Sequence, residues 1–248
     1  MKLTVVGHWG GYPAAKGATS CYLLEKDNFA LVIDMGSSAL SKLQTYIDVT
    51  HIDAVILSHY HTDHVADIGV LQHAKLVQTY LQGHSEILPI YGHVEDIASF
   101  NTLSHKYTSG VIYNPKKDLT VGPFTIKFLR TKHSVPCFGM RITDGEHSIV
   151  YTADTAYFDE WISFANRANL LVTDCNFYAD QEENALAAGH MTSIQGAHIA
   201  QQAYVDELLL SHLPHFGDHE QLVAEAKQYF TNAVHLAEEG FVWQAKKK

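Results

Sequence analysis

The chain has 248 residues, enough for one large domain or two small ones, and 46% of them are hydrophobic, so a substantial core can be buried. Charged residues make up only 18%, which argues against a disordered or coiled-coil protein. With 17 Lys and Arg against 27 Asp and Glu, the net charge of -10 is a poor footprint for a general nucleic-acid binder and slows the approach of a large polyanion.

Cys21, Cys137 and Cys175 are odd in number, far apart and in no CxxC pair, so a reducing compartment fits better than a disulfide framework. The opening segment Met1 to Gly7 is too short an apolar run for a signal peptide. No stretch approaches the roughly 20 apolar residues needed to cross a bilayer. The expectation is a soluble, cytoplasmic protein of a single domain over 1–248, with no membrane partner. The compositional outlier is histidine, at 17 residues.

In chain order, residues 3–6 read as a short strand followed by a bend at Gly7, Gly10 and Gly11. Residues 21–24 and 30–33 read as a strand pair joined by a polar turn at Lys26, Asp27 and Asn28. Helical periodicity spans 37–47, and 54–57 is a compact apolar run, hence a buried strand. Strands follow at 88–91 and 125–129, with a helix around 94–103 between them. Residues 138–142 and 148–152 form a hairpin with Asp144-Gly145 as its turn signal. Buried strands at 170–173 and 207–210 alternate with helices near 193–204 and 218–230. Lys246 to Lys248 is the one charge run, a solvated end. The class is mixed α/β, with sheet inside and helices outside.

The chemistry begins where the buried strand at 54–57 stops: Ser58-His59-Tyr60-His61-Thr62-Asp63-His64. In extended chain His59 and His61 project to one side and can chelate one ion. His64 lies close enough to complete a set once the chain turns, and Asp63 is a hard oxygen ligand suited to a second ion. A polar surface loop would scatter its histidines. Here three histidines and an aspartate occupy the six residues after a rigid strand end.

His-x-His-x-Asp-His after an apolar strand resembles the signature of the metallo-β-lactamase superfamily, and the resemblance can be followed through most of the chain. It implies a four-layer αββα sandwich, with metals at one edge of the two sheets. It also implies further ligands at strand ends: His133 in Thr131-Lys132-His133-Ser134, Asp154 in Tyr151-Thr152-Ala153-Asp154, and His212 in Leu209-Leu210-Ser211-His212. By this likeness His59, His61 and His133 hold a first ion, His64, Asp63 and His212 a second, and Asp154 bridges them. Nitrogen and oxygen donors without thiolate suit two Zn²⁺, with Mn²⁺ or Fe²⁺ as alternatives. Asp34, before Met35-Gly36, is either an orienting partner of a ligand or a turn residue.

Two segments look like the ribonuclease Z branch: His133-Ser134-Val135-Pro136 followed by Gly139-Met140-Arg141-Ile142, and Gly189-His190-Met191-Thr192-Ser193 before a Gln- and Ala-rich helix. The likeness implies that His190 is the proton donor to the leaving group and that Asp63 orients the attacking water. The alternative for His190 is a loop residue ahead of a helix capped by Thr192 or Ser193. Only a short hairpin joins His133 to Asp154, where many ribonuclease Z members insert an arm that grips transfer RNA. With the acidic charge, this disfavours transfer RNA and favours a phosphodiesterase acting on a small molecule or short nucleotide. A homodimer is the assembly the resemblance leaves open. The rivals are a lactonase, thioesterase or other carbonyl hydrolase of the superfamily, a non-catalytic metal-binding domain, and oxidation on non-haem iron. Residues 213–219 read as a loop into a helix capped by Asp218, and Trp9 and Tyr12 as packing under a loop rather than stacking on a ligand.

Overall fold

A computed structural model describes residues 1–83 and 86–246; Lys247 and Lys248 of the expected charged end lie outside the described residues. The strands in chain order are β1 (Lys2–Gly7), β2 (Cys21–Lys26), β3 (Phe29–Ile33), β4 (Ala54–Ile56), β5 (Leu88–Gly92), β6 (Thr108–Ile112) and β7 (Leu119–Val121). They continue with β8 (Phe124–Arg130), β9 (Phe138–Thr143), β10 (Ser148–Tyr151), β11 (Leu170–Asp174), β12 (Glu207–Ser211), β13 (Ala233–Leu236) and β14 (Val242–Gln244). The helices are α1 (Ala39–Leu43), α2 (Thr62–Val65), α3 (Ile68–Gln82), α4 (Ile97–Asn101), α5 (Glu160–Phe164), α6 (Glu182–Ala188), α7 (Ser193–Gln202) and α8 (His219–Ala226). The class is α/β, with two mixed sheets, and every expected strand forms within two residues of its expected bounds.

Two compact units divide the chain. The first comprises Met1–Asn114, Val121–Pro123 and Glu238–Lys246. Its sheet runs β14-β1-β2-β3-β4-β5-β6, antiparallel as far as β3 and parallel from β3 to β6. One face packs Val6, Leu23, Val32, Val55 and Ile90 against Leu40, Leu43, Leu71 and Phe100 of the helices. All of β4 and most of β3 are buried, which is why both read as plain apolar runs.

The second unit comprises Pro115–Thr120 and Phe124–Ala237. Its sheet runs β13-β12-β11-β10-β9-β8-β7, parallel from β10 to β13, with β8, β9 and β10 antiparallel. The helical face packs Val150, Leu171, Leu208 and Leu210 against Trp161, Ala197, Ile199 and Leu222.

Three helices are shorter than the sequence suggests, among them α8, which ends at Ala226. Helix α1 ends at Leu43 and continues as turns, and α4 starts only after Asp96, whose carboxylate accepts the Ser99 N–H. The longest helix, α3, is absent from the sequence reading. Among the described residues, no helix is long and apolar enough to cross a membrane.

Candidate metal centre

Parallel strands expose their carboxyl ends together, and ligands collect beyond those ends. In the first unit, β3 and β4 are parallel neighbours, so Asp34 and the Ser58-to-His64 segment emerge side by side. Asp34 Oδ1 accepts the Ser58 N–H and Oδ2 accepts the Ser58 hydroxyl, both at 2.7 Å. His64 Nδ1 also lies 2.7 Å from Asp34 Oδ2.

This network assigns the imidazole tautomers. A carboxylate only accepts, so the Ser58 proton is spent on Asp34, and Ser58 Oγ accepts from His59 Nδ1 at 3.0 Å. His59 and His64 therefore both carry their proton on Nδ1 and present a lone pair on Nε2, the arrangement that orients a metal-binding imidazole. The His59 ring lies 4.8 Å from that of His61 and 4.1 Å from that of His64. Asp63 Oδ2 accepts the Gly11 N–H at 2.8 Å and lies 3.7 Å from His64 Nε2.

Two phenols hold this strand end in place. Tyr113 donates to Leu57 O at 3.0 Å, and Tyr60 donates to His93 O at 2.6 Å. Burial pushes the Tyr60 phenol far above its ordinary range. A side chain at Gly92 would overlap the Tyr60 hydroxyl.

In the second unit, β10, β11 and β12 end in Asp154, Asp174 and His212, while β8, running the same way as β10, delivers His133. His133 Nε2 lies 3.7 Å and His212 Nε2 3.4 Å from the same oxygen, Asp154 Oδ2. His133 Nδ1 donates to Gly189 O at 3.0 Å, so it too presents Nε2. Gly189 closes α6 with φ of 77°, and a Cβ there would press on the His133 ring at 3.0 Å. Asp154, Asp174, His190 and His212 each offer one ligand atom within 4.8 Å of the others.

His190 Nδ1 is 2.8 Å from Asp174 Oδ2, whose carboxylate is fully buried, and the His190 ring stacks on His212 at 5.1 Å and 20°. Asp174 is the functional candidate that the sequence reading missed. Its one signal is an acid ending the apolar strand Leu170-Leu171-Val172-Thr173, and its partner sits 16 residues away. Thr192 caps α7 with Gln195 in a reciprocal box, so the cap does not call on His190.

Three residues at these strand ends carry backbone strain. Asp34, Ala153 and His212 have φ of 55°, 52° and 53°, left-handed conformations that cost a non-glycine residue about 1–2 kcal/mol each. Trp9 packs as expected, its indole filling the space a Cβ at Gly17 would need. Tyr12 does not: it is exposed on the glycine turn rather than packed under the loop.

Histidine and carboxylate donors with no thiolate, their imidazoles oriented through Nδ1, fit a divalent metal; the three cysteines are buried thiols outside these clusters.

Comparison with known proteins agrees with this chemistry. The chain is 52% identical over 245 residues to a probable metallo-hydrolase, YhfI of Bacillus subtilis (strain 168), covering 98% of this chain and all of that one. Its fold superimposes on the crystal structure of the metallo-beta-lactamase fold protein YhfI from Bacillus subtilis with a TM-score of 0.96, over 98% of both chains. It is also similar to a ribonuclease Z of Haloarcula marismortui, 23% identical over 97% of this chain and 95% of that protein. The model of the beta-lactamase superfamily domain matches residues 31–213, and the chain belongs to that superfamily.

Proposed function

We propose that this protein is a dinuclear metal-dependent phosphodiesterase acting on a small phosphodiester or short nucleotide rather than on transfer RNA. In this reading His59, His61 and His133 hold one ion, Asp63, His64 and His212 hold the other, and Asp154 serves both. The reading is supported by the Nδ1 anchoring of His59, His64 and His133, by the superfamily membership and by the similarity to the ribonuclease Z. Zn²⁺ suits the donors best. When bound, the metal pair supplies Lewis acidity, which makes water a nucleophile near neutral pH and offsets charge on the phosphoryl group.

The protein's own groups do the rest. Asp63 orients the attacking water through the carboxylate that the Gly11 N–H holds in place. His190 Nε2 delivers a proton to the departing alkoxide, while Asp174 holds Nδ1 and stabilises the imidazolium before transfer. The observation that carries the choice of phosphodiester over carbonyl chemistry is the partly exposed His190 imidazole held by the buried Asp174 carboxylate and stacked on His212. A poor alkoxide leaving group needs such an acid. A lactone or thioester does not need one in that place.

The test compares turnover of bis(p-nitrophenyl) phosphate with turnover of lactone and thioester substrates. Phosphodiester turnover well above carbonyl hydrolysis is expected. Inertness toward phosphodiesters beside a strong lactonase rate would reverse the assignment. His190→Ala should slow release of an alkoxide by about 10²- to 10⁴-fold. The same variant should release p-nitrophenolate, which needs little protonation, with far less loss.

A further inference from the structure

The loop 213–219 is held by several contacts and displays one aromatic ring, which reaches His190 only through Phe177. Leu213 is buried at its start. His219 Nε2 lies 2.7 Å from Pro214 O, and Asp218 caps α8 by accepting the Glu220 N–H. Tyr178 donates its hydroxyl to Phe216 O at 3.0 Å. Gly217 has φ of 79°, and a side chain there would overlap the Tyr178 ring. These contacts fix the backbone on both sides of Phe216, yet the residue stays 45% exposed.

The ring does not stand alone. Phe216 meets Tyr178 at 5.7 Å and Phe177 edge-on at 6.4 Å. Phe177 lies 6.3 Å from His190, and His190 stacks on His212. A row of rings therefore runs from the exposed Phe216 through Phe177 to the imidazole proposed to protonate the leaving group. Leaving a large apolar ring in water on a pinned loop forgoes burial that a mobile loop would recover. A flat ligand group covering it would regain that burial together with stacking.

Resting on the phosphodiesterase reading, we infer that Phe216 is the platform on which an aromatic group of the substrate, a nucleobase in the natural case, stacks. It is a specificity residue that selects nucleotide over sugar-phosphate or alkyl phosphodiesters.

Calorimetry on the metal-loaded protein tests this without turnover. Adenosine 5′-monophosphate and ribose 5-phosphate share their phosphate and sugar and differ in the base. The wild-type protein should bind the nucleotide about tenfold more tightly, the order of one base-aromatic stack. Phe216→Ala should bring the two affinities together, and Phe216→Tyr should keep the preference. An absent preference in the wild type, or one that survives in Phe216→Ala, overturns the inference.

A turnover arm separates this claim from the one beneath it. A nucleoside 5′-(p-nitrophenyl phosphate) and methyl p-nitrophenyl phosphate have the same leaving group. The ratio of their kcat/KM values should fall about tenfold in Phe216→Ala, mainly through KM. If the wild type turns over neither ester, the phosphodiesterase reading fails, while the calorimetric preference still decides the role of Phe216.

Discussion

Asp34 and His64 form a completely buried pair, with Oδ2 and Nδ1 2.7 Å apart, and the same carboxylate holds both the amide and the hydroxyl of Ser58. One side chain thus sets the tautomer of His64 directly and that of His59 through Ser58. Asp34→Asn keeps the shape but turns one acceptor into a donor. Metal affinity should drop about 10- to 100-fold, with the fold retained, as read by competition with a chromogenic chelator. Equal affinity in variant and wild type would remove Asp34 from the site.

Asp174 and His190 should behave as a unit. Asp174→Asn is expected to slow alkoxide release by at least about tenfold and to add nothing in the His190→Ala background, because the carboxylate acts through the imidazole. Steady-state kinetics of the two single variants and the double variant measure this. Additive losses would show that Asp174 acts elsewhere, for instance through the Thr155 N–H that it also accepts.

The Asp96 cap ties stability to pH. Its hydrogen bonds from the Ser99 hydroxyl and amide hold its carboxyl below the ordinary value of 3.8. The folded state therefore binds the proton more weakly than the unfolded chain. The contribution is complete above the unfolded value and is lost as pH falls through the depressed one. Asp96→Ala should cost about 1 kcal/mol near neutral pH. Urea titrations of the two proteins should converge as pH drops below 3.8. A gap that persists in acid would mean the loss is not electrostatic.

The thiols should be silent in the native state. Cys21, Cys137 and Cys175 are buried, and burial, reinforced by Asp34 near Cys21 and Asp174 near Cys175, pushes the Cys21 and Cys175 thiols well up. A disulfide reagent near pH 8 should modify none of them within minutes and all three in guanidinium. Rapid native labelling would contradict the packing described.

How legible was this in the sequence? The strand β4 and its histidines stood out because every residue of the strand is apolar and the ligands are local to it. Asp154 and His212, each alone after its strand, took meaning only from the resemblance to the metallo-β-lactamase superfamily. Helix α3 stayed hidden because its apolar residues do not mark its buried face. Ile68, Leu71, Gln72 and Lys75 are buried, while Val70, Val77 and Leu81 face solvent. For Asp34 the sequence leaves a turn residue and an orienting group open; the structure assigns no turn there, and its carboxylate holds Ser58 and His64. Asp174 could not be singled out, because a lone acid at a strand end acquires meaning only when the fold returns His190 to it. Phe216 lay in a loop whose plain reading, an entry to a helix capped by Asp218, is also correct.

The most direct measurement is elemental analysis of the purified protein, paired with titration of the metal-stripped protein by Zn²⁺ while phosphodiester turnover is followed. Binding of two divalent ions per chain is expected, with turnover returning as they bind and failing to return in His59→Ala or His212→Ala. Full turnover in the metal-stripped protein, or no ion bound at micromolar Zn²⁺, would contradict the account.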